Sequence, residues 1–210
     1  MSVTGLCVRP IGSDLVALSA LDTLVRKMGY ADWLLSLSRE ELWILNFDLD
    51  DGEAGEVTEM LIKRTGIFVN PNTHIHTVVR TGELMPHGIQ CGREGLSIAV
   101  WPQEDSQVRP VAVAVRERMG VESLKELRRL ILWWPRFAQD GGVGRSRTNR
   151  GDHRGYMSAA QIAESMVATR SRQEGLLANP HYQCWCIIER GLKPHELLRT
   201  IVEIEVVCGM

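Results

Sequence analysis

Gly66-Ile67-Phe68-Val69-Asn70-Pro71 returns later in the chain as Gly175-Leu176-Leu177-Ala178-Asn179-Pro180. Each copy follows a helical pattern and precedes a strand-like run, so the phrase marks one step of a fold that is used twice. Other landmarks repeat with it. Met28-Gly29 and Met119-Gly120 each close an amphipathic stretch, and each stretch is preceded by a strand that runs into a proline, Pro10 or Pro102. At the same distance past the glycine, Trp43 answers Trp134. Two copies of a small unit fit this spacing better than a solenoid, which needs several copies to bury a core.

Periodicity gives each half an element order. Val3 to Arg9 reads as a strand, and Leu18, Leu21, Val25 and Met28 recur at helical spacing. From Trp33 to Leu49 the chain alternates, and a turn near Ser38 to Glu40 would make this stretch a hairpin. Asp50 with Glu53 has capping-box spacing for a second helix carrying Val57, Met60 and Leu61. Thr73 to Arg80 closes the half as a strand. The second half repeats the order. It has a strand over Leu96 to Trp101, a helix with Pro110 in its first turn, and a hairpin over Leu124 to Phe137. A helix behind Ser158 and Gln161 and a strand over Tyr182 to Ile188 complete it. Strand, helix, hairpin, helix, strand is the ferredoxin-like α+β plan.

The domain reading follows: residues 1–80 as the first unit, 81–94 as a glycine- and proline-bearing linker, and 95–189 as the second unit. An insertion sits near 139–157. Residues 190–210 form an extension whose pattern suits a helix through Leu197, Leu198, Ile201 and Ile204, but also a strand over Ile201 to Val207. Leu130-Ile131-Leu132-Trp133-Trp134 is apolar without alternation, so both sheet faces are expected to be buried there, with the two halves packed through their sheets.

Composition sets outer bounds. The chain has 210 residues, 44% hydrophobic and 24% charged, with a net charge of −2. That balance exerts no general pull on nucleic acid or anionic membranes. No apolar run reaches bilayer length, and no basic segment followed by an apolar stretch marks a secretion signal. Cys7, Cys91, Cys184, Cys186 and Cys208 are odd in number and lack scaffold spacing. They read as mostly reduced thiols of a cytoplasmic protein.

Chemistry-bearing motifs are scarce. There is no Gly-x-Ser-x-Gly elbow, no His-Glu-x-x-His, no Rossmann glycine phrase and no Walker loop, and no catalytic, cofactor-binding or metal set is assigned. His74 and His76 share one strand face, but repeat register sets them against Gln183 and Trp185, so they read as surface or interface histidines. Cys184 and Cys186 match Ile75 and Thr77 and read as packed thiols. Glu40-Glu41 and Glu203 with Glu205 read as solvated acids. The segment from Arg136 through Gly141-Gly142-Val143-Gly144 combines backbone freedom with Arg145, Arg147, Arg150 and Arg154. It is a polar loop, a contact for an acidic or nucleotide-bearing partner, or a direct contact to nucleic acid.

The phrase Leu176-Leu177-Ala178-Asn179-Pro180 ahead of the last strand, with this element order and the strand pair from Val121 to Trp134, resembles the PurS family. The first copy, Ile67 to Pro71, is a looser match. Neither Ile11 to Leu15 nor Gln103 to Val108 carries the Gly-Val-x-Asp-Pro-like segment usual in that family. PurS is the small subunit of phosphoribosylformylglycinamidine synthase, an oligomer that bridges a glutaminase subunit and an ATP-dependent synthase subunit. What the resemblance implies here is a fused pseudo-dimer without catalysis of its own. Its partners would be those two subunits, in purine biosynthesis, with self-association into a homo-oligomer. Arg136, Arg145, Arg147, Arg150 and Arg154 would be its partner contact, with no cofactor, no membrane and no nucleic acid involved. The alternative is a regulatory protein that binds a small ligand with paired ferredoxin-like domains.

Overall fold

The computed structural model describes residues 1–84, 96–104, 106–138, 158–169, 175–188 and 193–208, with residues 205–208 described by their backbone alone. The first half comprises β1 (Ser2–Pro10), α1 (Leu15–Lys27), β2 (Leu34–Phe47), α2 (Asp51–Arg64) and β3 (His74–Val79). The second comprises β4 (Ser97–Pro102), α3 (Val108–Val113), β5 (Leu124–Phe137), α4 (Ala159–Val167) and β6 (Gln183–Ile188). Between α3 and β5 the helix runs on into a π-helical turn, Ala114–Arg118. A last helix, α5 (Pro194–Cys208), follows. The strands form one antiparallel sheet in the order β3-β1-β2-β5-β4-β6.

Both expected hairpins are single strands. β2 and β5 are each 14 residues long and pair with one another from Leu34↔Phe137 to Phe47↔Leu124. Ser38-Arg39-Glu40 contains no glycine, proline or asparagine to turn the chain, so the alternation continues through it. What resembles a turn is a change of neighbours. β1 pairs with the end of β2 from Glu41 to Phe47, while the earlier half of β2 has only β5 beside it. Each half therefore contributes three strands rather than four. The halves join through sheet edges, not by stacking sheet on sheet.

The helices cover one face of this sheet in mixed pairs. One core cluster combines Leu6, Trp43, Phe47 and Leu61 of the first half with Val108, Val115, Leu124 and Leu127 of the second. Another joins Leu24, Leu34 and Leu37 to Ile98, Trp133, Ile162 and Met166, and the Tyr30 hydroxyl donates to Ser165 Oγ across it at 2.9 Å. Neither cluster is built from one half alone. The opposite face is covered by α5: Leu197, Leu198 and Ile201 pack on Leu42, Ile44, Leu130, Leu132 and Trp134. The apolar run at Leu130 to Trp134 is buried on both faces as its pattern requires, but the second cover is a helix. That result also decides the extension, which is helical because an apolar stripe at helical spacing meets a flat apolar face.

Landmarks recur with a small shift. Trp43 faces Leu6, and Trp133 faces Ile98 at the corresponding point of the other half, so Trp133 and not Trp134 answers Trp43. The connection from Gly120 to Leu124 is shorter than that from Gly29 to Leu34, which accounts for the shift. Both glycines have positive φ, 82° and 70°, where a side chain is strained. Behind each, the next N–H returns to the helix: Tyr30 to Leu24 O and Val121 to Val115 O. Asp50 caps α2 through Glu53 N at 2.8 Å, and Ser158 with Gln161 forms a complete capping box on α4.

Asn70 and Asn179 build the same corner. Asn70 Oδ1 accepts from Asn72 N at 3.1 Å, and Asn179 Oδ1 accepts from His181 N at 3.0 Å. Their carbonyls accept from His74 N and Gln183 N, both at 2.8 Å, where the closing strands begin. The prolines between them fix the backbone angle of the turn. Of the expected linker, only Thr81 to Leu84 lies among the described residues, and Thr81 Oγ1 accepts from Val3 N at 3.0 Å and so holds the chain to β1. The insertion near 139–157 lies outside them.

Two substitutions test this packing. Trp134 is 3% exposed against α5 and the sheet. Trp134→Ala should destabilise by about 3 kcal/mol or more in chemical denaturation; an unchanged midpoint would mean that α5 does not cover this face. Asn179→Ala removes a side-chain cap and should cost about 1 kcal/mol while leaving the fold intact by circular dichroism.

Candidate functional site

The seam between β2 and β5 carries a polar pattern that recurs in each half. Arg39 lies opposite Trp133 and Arg129 opposite Trp43 in the strand register. Each guanidinium sits over its partner ring, at 5.9 Å for Arg39 and 5.4 Å for Arg129. Such contacts contribute about 1 kcal/mol when half-buried. Each arginine also reaches the start of the first helix of a half. Arg39 Nε donates to Asp14 Oδ2 at 2.9 Å, and Arg129 Nη1 donates to Gln107 Oε1 at 2.8 Å. Asp14 caps α1 with its other oxygen, accepting from Val16 N and Ala17 N. Arg129 Nη2 completes the seam with Glu41 Oε2 at 2.8 Å.

A cavity opens beside each arginine, in the gap where the first strand of the half leaves the seam strand. In the second half it measures about 300 Å³ and is floored by Leu130 and Ile131. In the first half it measures about 360 Å³ and includes Arg9, Asp14, Ser38, Arg39 and Glu40. Glu40 is the unusual member. It is 8% exposed, and its Oε2 is shut off from solvent. Burial pushes its carboxyl above the ordinary carboxylate range, while the Arg9 guanidinium and the Trp134 indole pull the other way. Perturbed acids in a cleft mark candidate sites.

The sequence reading of Glu40-Glu41 as solvated acids is corrected. On the extended strand Glu40 shares the face of Leu42 and Ile44, beneath α5, while Glu41 points to the helix pairs and meets Arg129. Reading Ser38 to Glu40 as a turn hid that alternation. Asp14, Arg9, Arg39 and Arg129 were not singled out either, because the contacts that join them span strands far apart in sequence.

Of the arginines proposed for partner contact, Arg136 is exposed near the end of β5, opposite Ser36. Arg145, Arg147, Arg150 and Arg154 lie outside the described residues. His74 is half-buried beside Thr73 Oγ1, and His76 is exposed on the same edge strand. Among the described residues no group of three or more metal-binding side chains converges. Cys7, Cys184 and Cys186 line the face beneath α5, and burial raises the Cys186 thiol to about 12 and that of Cys7 further. Trp43, Trp101, Trp133 and Trp134 are buried anchors. No described helix is long and apolar enough to cross a membrane. Comparison with protein-family models, with curated proteins and with solved structures found no match.

The Glu40 carboxyl carries a testable pH signature. Its folded pKa lies above the unfolded value, so its contribution to stability is present in acid and is lost as pH rises through the folded pKa. Arg9 and Cys7 are the charged or titratable groups that interact with it among the described residues. Glu40→Gln should melt close to the parent at pH 4 and above it at pH 8, and parallel melting curves across that range would refute the assignment.

Proposed function

We propose that the chain is a non-catalytic assembly subunit of the PurS kind, with two duplicated halves that hold glutaminase and synthase subunits together in purine biosynthesis. The observation that carries the reading is the corner at Asn70 and Asn179. The phrase behind the resemblance performs one structural task twice, with the same hydrogen bonds in both halves. The fused sheet supports it, since a bridging subunit must present its two ends in a fixed geometry. Packed thiols of raised pKa suit a scaffold better than a nucleophile.

Partner contact is assigned to Arg136 and the arginines from Arg145 to Arg154. Peripheral charges mainly govern association rate and its salt dependence. Arg145→Ala, Arg147→Ala and Arg150→Ala combined should therefore slow complex formation and flatten its response to salt, with an unchanged melting temperature. Affinity purification from the native cell should recover both enzyme subunits. Recovery of neither, with no association of the purified proteins at any salt, would end the reading. A second reading, a regulatory protein that binds a small ligand, is favoured by one observation: the cavity at Glu40.

A further inference from the structure

The two ends of the sheet are not alike. β3 and β6 are its edge strands. Every side chain of β6 is buried or half-buried, whereas Ile75, His76 and Thr77 in the middle of β3 are all exposed. The strand His74-Ile75-His76-Thr77-Val78-Val79 has no lysine, acid or proline, and its register against β1 is unbroken. These are the devices that ordinarily discourage a further strand at an edge, and β3 lacks them.

The hydrogen bonds to β1 fix which groups of β3 stay open. Ile11 N donates to Thr73 O at 2.9 Å, so the bonded pairs of this antiparallel ladder fall on the odd-numbered residues Ile75, Thr77 and Val79. The backbone amides of His74, His76 and Val78 therefore point away from β1. His74 N is already given to Asn70 O, and just past the strand Arg80 N donates to Glu83 Oε2. The N–H and C=O of His76 and Val78 remain, placed symmetrically about Thr77, and among the described residues no strand lies beside them.

A set of this symmetry matches its own copy. A two-fold axis normal to the sheet at Thr77 sets His76 opposite Val78 of the second copy, and each such pair exchanges both hydrogen bonds. Thr77 then meets Thr77 of the second copy. Ile75, 41% exposed, is covered by Val79 of the second copy on the same face. On the other face α2 lies over β1 and β3, where Ala54, Leu61 and Ile62 pack with Leu6, Val8 and Val78. Strands about 4.8 Å apart bring the two copies of α2 to roughly 10 Å from one another, a normal helix-packing distance. The axis makes them antiparallel. Asp51 and Glu53 stand in the first turn of α2, and Lys63 and Arg64 in the last, so each acidic end is turned toward a basic one. Between α2 and Arg80, Gly55, Glu56, Glu59 and Lys63 line an open groove of about 440 Å³ along this flank.

We propose that the protein forms a two-fold dimer through β3, joining two six-stranded sheets edge to edge. The inference goes beyond the assembly reading and does not draw on it.

Sedimentation equilibrium of the purified full chain should show a monomer–dimer equilibrium with a dissociation constant of about 10 µM or tighter. His76→Pro removes a donor that faces the open edge and leaves the ladder to β1 intact. It should weaken association by about tenfold or more, with the melting temperature of the dilute protein close to the parent's. Thr77→Lys places like charges across the axis from an exposed position and should have the same effect, so the test survives if His76→Pro does not fold. Facing residues of a non-hydrogen-bonded antiparallel pair lie about 4.5 Å apart at Cα, within disulfide reach. Thr77→Cys should therefore oxidise to a reducible dimer in higher yield than the parent or Asp22→Cys, which places its thiol on the exposed side of α1. Monomer alone up to about 200 µM would overturn the proposal. So would a dimer that both disrupting variants leave intact, or one that Thr77→Cys does not trap. Enzyme subunits take no part in these measurements, so this inference and the assembly reading can fail separately.

Discussion

Everything in this fold depends on the ladder between β2 and β5. Two 14-residue strands from opposite halves pair in one continuous register from Ser36↔Arg136 to Asn46↔Glu126, with a shift at each end, and each spans about 45 Å. A shift of one residue would move every side chain to the wrong face. Such a slip in β2 would exchange Trp43 and Leu42 between the face under the helix pairs and the face under α5, and neither would fit the packing it met. The register is held at two points by an arginine over a tryptophan, and at each point the arginine also reaches the start of a helix. The seam therefore places the helices as well as the strands.

Because the seam joins strands from both halves, the helices it supports are shared. α2 packs with α3 and α1 with α4, each pair over strands of both halves. Separating the halves would leave each with a seam strand unpaired on one side and a core lacking half of its helical cover. Such an edge is a site for aggregation. α5 performs the corresponding task on the opposite face, where Leu42, Ile44, Leu130 and Leu132 would otherwise meet water.

The same construction explains where polar chemistry can survive. At the ends of β1 and β4 the flanking strand departs, and the seam strand is left with a gap on one side. Both gaps hold a cavity: Leu130 and Ile131 line the one in the second half, and Arg9 and Glu40 line the one in the first. An ionisable pair so placed is shielded from solvent without being deep in the core, a setting in which burial and nearby charge both act on the carboxylate.

Much of this architecture was legible in the chain. Periodicity located the helices; Asp50 with Glu53 and Ser158 with Gln161 marked two helix starts, and the Asn-Pro phrases marked two corners, because each of these is settled by groups a few residues apart. The number of strands was not legible. Ser38 to Glu40 looks like an interruption until β5 lies beside it, since a change of neighbour alters which faces are buried without altering the backbone. Nor could the pairing of Arg39 with Trp133, the burial of Glu40, or the choice of helix for Pro194 to Cys208 be read locally. Those were decided by tertiary structure alone, because side chains brought together by strand register have no fixed spacing in sequence, and a carboxylate becomes unusual only when its surroundings exclude water.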